Sequence, residues 1–319
     1  MKEIGGYFGL ELSRKEEYHQ SMLKLNSARN AFRYILKAKK ISKVYLPSYI
    51  CDSVVEPLIT LNINFEFYSI NEIFEMCHNI KLKETERLYY VNYFGLKSKY
   101  IADLAAAYGS QLIVDNAQAF FEFPILDIDT LYSTRKFFGV SDGGYLYTDF
   151  ITDQELEQDS SMGRISHLVG RIDQTAAAHY QSYTSSENGL ADQPIKTMSK
   201  FTKAVLASID YKSTKLLRER NFLYLHAFLA NYNSLDIDIG MLNGPMAYPF
   251  LWKDPLLKNE LIRNKIYVAT YWPEVLKRVS RESVEASFVD HIIPLPIDQR
   301  YDLEDMSRIV GFIKNIWET

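Results

Sequence analysis

The feature that most limits the possible folds is an alternation in the first half of the chain, clearest over residues 87–118. There "RLYYVNYFG", "KYIADLAAAYG" and "QLIVDNAQ" follow one another with almost no linker. The first and third are short apolar runs without polar alternation, as strands covered on both faces must be. The second carries apolar residues at helical spacing and ends on Gly109, a helix stop signal. Upstream, "KVYLP", "YICDSVVEPLITLN" and "NFEFYSI" repeat the strand–helix–strand unit, and "NSARNAFRYILKAKK" predicts a helix capped by Asn26 or Ser27. Downstream, "ILDIDTLYS" and "GGYLYTD" predict two further strands. The implied architecture is α/β: a mixed, mostly parallel sheet covered by helices.

The second half changes character. Residues 151–195 are polar, with "SSENG" expected as an exposed loop, and long helical periodicity runs over 197–232. "MAYPFLW", "NKIYVATYWP" and "HIIPLPI" predict short strands before a closing helix, "LEDMSRIVGFIKNIW". The 319 residues therefore divide into a large domain at 1–208 and a smaller C-terminal α+β domain at 209–319.

Charge narrows the function. A net charge of −4 and a pI near 5.9 argue against a protein built to grip nucleic acid or an anionic membrane. The densest basic run, "LKAKKISK", reads as a solvated helix end, and Arg218 and Arg220 read as the solvated face of a long helix. Cys51 and Cys77 form no CxxC pair, and the six histidines show no ligand spacing, so no metal site is expected. The N-terminal stretch has no apolar signal core, which implies a cytoplasmic protein.

In open α/β sheets ligands bind beyond the carboxyl ends of the strands. The polar residues at those ends are Asn92 with Tyr93 after "YYV", Asp115 after "LIV", and Ser133 to Lys136 after "DTLY". Taken singly, Asp115 is a turn cap and Lys136 a solvated lysine. Together they match the needs of pyridoxal 5′-phosphate (PLP): a Schiff-base lysine, a carboxylate facing the pyridine nitrogen, and donors for the phosphate. Ser133 is the candidate hydroxyl, and Arg29 or Arg135 the candidate phosphate cation. Asn92 and Tyr93 are candidate substrate contacts. No GxGxxG or P-loop pattern makes the glycines a nucleotide cradle.

"VDNAQAFFEF" followed by "TLYSTRKFFGVSDGGYLYTD" resembles the aspartate strand and lysine segment of the DegT/StrS sugar aminotransferases, which are fold-type I PLP enzymes related to aspartate aminotransferase. The shared features are Asp115 with Gln118 three residues on, and Lys136 followed by Gly143-Gly144. The resemblance implies that Asp115 pairs with the pyridine nitrogen, that Gln118 contacts the ring hydroxyl, and that Lys136 forms the Schiff base and shuttles protons. "LNSARNAF" resembles the first-helix segment that receives the phosphate, which implicates Ser27, Ala28 and Arg29. "VYLPSYICDSV" resembles the segment bearing an aromatic ring over the cofactor; Cys51 aligns there, and Tyr49 is the nearest aromatic. Thr197 stands where the family carries a cross-dimer asparagine, and Leu131 where it often has serine. The implied activity is transamination between a small amino donor and a nucleotide-linked keto-sugar, by a homodimer making amino sugars for surface polysaccharide. Two other readings share this fold: a different PLP reaction of lyase or dehydratase type, and a non-catalytic binding or assembly subunit.

Overall fold

The computed structural model describes residues 4–152 and 155–317. Seven strands form one sheet. In chain order they are β1 (Leu23–Leu25), β2 (Lys43–Pro47), β3 (Asn64–Tyr68), β4 (Glu86–Val91), β5 (Leu112–Asp115), β6 (Asp129–Ser133) and β7 (Gly144–Tyr147). Their spatial order is β1-β7-β6-β5-β4-β2-β3. The five adjacent strands β3, β2, β4, β5 and β6 are mutually parallel, and β7 alone is reversed, pairing antiparallel with β6 on one side and with the edge strand β1 on the other. Every residue of β5 and β6 is buried, as expected of central strands covered on both faces, and the polar Asp129 and Thr130 of β6 are buried with partners, Lys39 and the Ile128 carbonyl.

Helices α1 (Ala28–Ala38), α2 (Asp52–Thr60) and α3 (Ser98–Tyr108) cross between these strands. Ser27 caps α1, its hydroxyl accepting from the Asn30 amide at 3.1 Å. Beyond β7 come α4 (Ser166–Asp173), α5 (Tyr180–Asn188), α6 (Lys200–Leu206) and the long α7 (Tyr211–Leu229). Then β8 (Tyr248–Leu251), α8 (Pro255–Arg263), α9 (Val284–His291), β9 (Ile292–Leu295) and α10 (Leu303–Trp317) complete the chain. Strands β8 and β9 pair antiparallel, and a second core of Phe222, Leu225, Tyr248, Leu261, Leu295 and Ile309 fills the space between this ribbon and α7, α8 and α10. The architecture is thus a mostly parallel α/β sheet with a small α+β unit. Among the described residues no helix is long and apolar enough to cross a membrane.

Several expectations need correction. "NKIYVATYWP" forms no strand: the chain is irregular there and enters a 3₁₀ turn, Pro273–Lys277. "SSENG" is not a free loop, because residues 185–188 complete α5 and Ser186 is buried. The periodicity over 197–232 belongs to two helices, since residues 207–210 leave the helix and Asp210 caps α7 by accepting from the Ser213 amide. Lys39, at the end of α1, is no solvated ornament; it pairs with Asp129 at 2.8 Å and Asp149 at 2.6 Å. Arg218 is not solvated either, having only 1% of its surface exposed.

Candidate active site

The site begins with the ends of two adjacent parallel strands. Strand β5 delivers Asp115 and β6 delivers Ser133, with Asp115 in register with Leu131. The turn after β6 starts at Thr134, whose carbonyl accepts from the Phe137 and Phe138 amides at 3.1 and 2.9 Å. Its hydroxyl donates to the Asp142 and Gly143 carbonyls. This folds residues 134–143 into a closed loop that carries Lys136 outward.

The loop is fixed at its far end by Asp142, a wholly buried carboxylate that sequence reading passed over. It accepts from the Ser161 hydroxyl, the Ser199 amide and the Ser199 hydroxyl, each at 2.8 Å, and also from the Thr202 hydroxyl. The double glycine then has a steric reason. Gly143 takes φ of +116°, a conformation closed to ordinary side chains. A Cβ on Gly144 would lie 2.6 Å from both the Ala28 nitrogen and the Ser27 carbonyl carbon. Glycine here lets β7 run directly against the entry of α1, which brings the helix N-terminus to the ends of β5 and β6. Gly144→Ala is accordingly expected to destabilise the fold by about 1–3 kcal/mol, the usual overpacking cost, read from denaturant unfolding.

The result is one cavity of about 260 Å³, lined by Ser27, Ala28, Arg29, Asp115, Ser133 and Lys136. Asp115 sits deep in it. Its Oδ1 accepts from the Ala117 amide at 2.7 Å and its Oδ2 from the Tyr89 hydroxyl at 2.9 Å. Burial raises the Asp115 pKa, opposed by the nearby Lys136 ammonium and by these two donors. Lys136 is exposed to the cavity and makes no hydrogen bond or ion pair among the described residues. A larger groove of about 890 Å³ lies beside α3, but no lysine, arginine, histidine or cysteine lines it.

Further lining comes from residues that no sequence signal singled out for the cavity. Tyr89 reaches it from β4, Glu187 from α5, and Trp272 from the irregular segment before the 3₁₀ turn. Trp272 is held in a left-handed conformation (φ 55°, ψ 54°), costly for a bulky residue, with its ring 4.7 Å from that of Tyr49. Cys51 also lines the cavity; its thiol lies 2.8 Å from the Ser53 hydroxyl, and burial raises its pKa.

Four candidates are placed elsewhere. Gln118 turns away and accepts from the Phe94 amide at 2.7 Å, so it does not line the cavity. Asn92 is bound into the approach to α3, accepting from the Lys97 amide at 2.9 Å and donating to Asn116 at 3.2 Å. Tyr93 is fully buried and donates to the Tyr49 carbonyl at 2.8 Å. Tyr49 itself lies behind the wall, 1% exposed, among Phe74, Tyr93, Trp272 and Phe288. Thr197 forms isolated bridges to Leu25 and Gln158.

The donor set falls into two groups. One is a carboxylate with acceptor capacity left on both oxygens. The other is the first turn of α1 with the Ser27 and Ser133 hydroxyls and two guanidinium groups, Arg29 and Arg135. Burial lowers the Arg135 pKa to about 10, which leaves it cationic at neutral pH. The second group suits a phosphate, the carboxylate suits a pyridine nitrogen, and Lys136 lines the same cavity. The residues therefore fit PLP, with one complication. Arg29 is paired with Glu56 at 2.7 Å, and Arg135 is paired with Glu187, which itself lines the cavity.

No family model and no curated protein matches the chain by sequence. Solved structures do match by fold. A DegT/DnrJ/EryC1/StrS aminotransferase from Brucella abortus superposes with a TM-score of 0.62 at 14% identity, over 92% of this chain and 85% of that one. A Streptococcus pneumoniae protein, solved in PLP and PMP forms, gives a TM-score of 0.66 at 14% identity, over 93% and 87%. Helicobacter pylori PseC, an aminotransferase involved in the biosynthesis of pseudoaminic acid, gives a TM-score of 0.60 at 12% identity, over 93% and 86%. At these identities the likeness speaks for the backbone: the chain has the fold of the DegT/DnrJ/EryC1/StrS aminotransferases over more than nine-tenths of its length.

Proposed function

We propose that the chain is a PLP-dependent aminotransferase that passes an amino group from a small amino donor to a keto-sugar. One observation carries the reading: Asp115 and Lys136, from the ends of neighbouring parallel strands, line the same cavity as the N-terminal turn of α1. PLP, when bound, supplies the electron sink that makes a Cα proton removable. Asp115 would hold the pyridine nitrogen protonated, since a cation opposite a buried carboxylate offsets the burial that raises its pKa. The α1 amides with Ser27, Ser133, Arg29 and Arg135 would hold the phosphate. Lys136 would anchor the cofactor covalently, and its Nζ would carry the proton between substrate atoms as general base and acid. We further propose, on the family resemblance of the Asp115 and Lys136 segments alone, that the acceptor is a nucleotide-linked keto-sugar destined for surface polysaccharide and that the working unit is a cytoplasmic homodimer.

The test is a titration of purified protein with PLP, followed by borohydride reduction, peptide mapping and a panel of amino donors. A yellow protein, labelled on Lys136 and bleached by a donor such as glutamate, is expected. A protein that stays colourless and unlabelled removes the proposal.

A second reading, a binding subunit without catalysis, draws on the ion pairs that already engage Arg29 and Arg135. Glu187→Gln separates the two. If Glu187 merely stands in the place of a phosphate, its neutralisation raises affinity for inorganic phosphate by roughly two- to fivefold, the range of a partly exposed ion pair. Calorimetry reads this directly, and unchanged affinity would favour the binding subunit.

A further inference from the structure

The turn that carries Lys136 is gripped from outside by the C-terminal half of the chain. The Phe137 carbonyl, next along the backbone from Lys136, accepts from the Gln299 side-chain amide at 2.8 Å and lies 3.5 Å from Arg218 Nη2. Arg218 Nε donates to Gln299 Oε1 at 3.0 Å, and its Nη1 donates to the Pro245 and Met246 carbonyls at 3.1 Å each. Its guanidinium also lies 4.5 Å from the centre of the Phe137 ring. All of these hydrogen-bond partners are uncharged, although burying an arginine without a contacting carboxylate is expensive.

The grip is braced at each contact. Asn221, one turn along α7, donates to the Ile297 and Tyr301 carbonyls and so holds the segment that bears Gln299. The Met246 amide donates to the Phe94 carbonyl at 2.9 Å, which ties the segment below Arg218 to the chain after β4. Two separate stretches of sequence, α7 and the segment bearing Gln299, thus meet on one carbonyl of the lysine turn, and a third, at residues 245 and 246, holds Arg218 in place. Inside the turn, only the Thr134 carbonyl restrains Phe137, through its amide.

We propose that Arg218 and Gln299 are positioning residues: they fix the Phe137 carbonyl and thereby aim Lys136 into the cavity. The inference rests on Lys136 being the covalent anchor. Placement matters because an error near 1 Å at a reacting group can cost about 100-fold in rate.

The test compares Gln299→Leu, Arg218→Met and Arg218→Lys with the parent protein, using two readouts on Lys136. The first is the rate of PLP-directed borohydride trapping. The second is labelling in cofactor-free protein by sulfosuccinimidyl acetate, a bulky reagent that reacts best with a lysine swung into solvent. In Gln299→Leu and Arg218→Met, trapping is expected to fall about tenfold or more, while labelling rises at least threefold at Lys136 and at no other lysine. Arg218→Lys should fall between these and the parent. Gln299 is half-buried, so Gln299→Leu decides the matter if Arg218→Met does not fold. Unchanged rates at Lys136, or labelling raised equally at every lysine, would overturn the proposal. If the parent itself is never trapped, it is the cofactor assignment that fails, and the labelling series alone still judges the clamp.

Discussion

Lys136→Ala is expected to fold like the parent, to show no red-shifted absorbance and take no borohydride label with PLP, and to lose transamination by at least 10²–10⁴-fold, the range for removing one positioned acid–base group. The fold should hold because the side chain is exposed and makes no hydrogen bond or ion pair among the described residues, and such surface truncations usually change stability by less than about 0.5 kcal/mol. PLP should still bind, more weakly, because the α1 turn, Ser133 and the arginines are untouched. The pair of measurements is thermal unfolding and visible absorbance. A Lys136→Ala protein that still reddens the spectrum and accepts a borohydride label would move the anchor to another amine.

Asp115→Asn should separate stability from function. In the folded protein the Asp115 pKa is raised, first by burial, so the fold binds a proton there more tightly than the unfolded chain does. By linkage, Asp115 contributes most at low pH, and its contribution is lost as pH rises through the raised value. At neutral pH the cofactor-free protein therefore carries a buried carboxylate at a net cost, and asparagine should not lower its melting temperature. Asparagine can keep the bond from the Ala117 amide and can donate to the Tyr89 oxygen. Transamination, by contrast, should fall by about 10²–10³-fold, comparable to removal of a preorganised electrostatic partner from other active sites. PLP should also stabilise the parent more than the variant, increasingly so above the Asp115 pKa. A cofactor-free Asp115→Asn protein that melts well below the parent, or a fully active one, would refute this assignment.

Residue by residue, what sequence could supply follows from chain geometry. Asp115 and Ser133 end consecutive parallel strands, so the apolar runs before them already place both at one edge of the sheet. Ser27 was legible because a cap is decided within three residues. Distance along the chain explains the rest. Glu187, Trp272 and Arg218 reach the site through tertiary packing, and none belongs to a local motif. Arg218 looked solvated because it stands among the charged residues of "KLLRERNF"; only the contacts to residues 137, 245, 246 and 299 reverse that view. Asn92 and Gln118 face elsewhere for a subtler reason. Each lies beyond its strand end, where tight turns decide the direction of a side chain, and both were drawn to backbone groups that would otherwise lack partners.

The walls of the chamber are supplied in a telling order: residue 27 first, then 51, 89, 115 and 136, and last 187 and 272. A ribosome releases the chain from the N-terminus, so the sheet and its lysine can assemble while the compartment still gapes on the side that Trp272 closes. The groups proposed to hold a vitamin would then all have emerged well before the segment bearing Trp272 arrives to complete the wall.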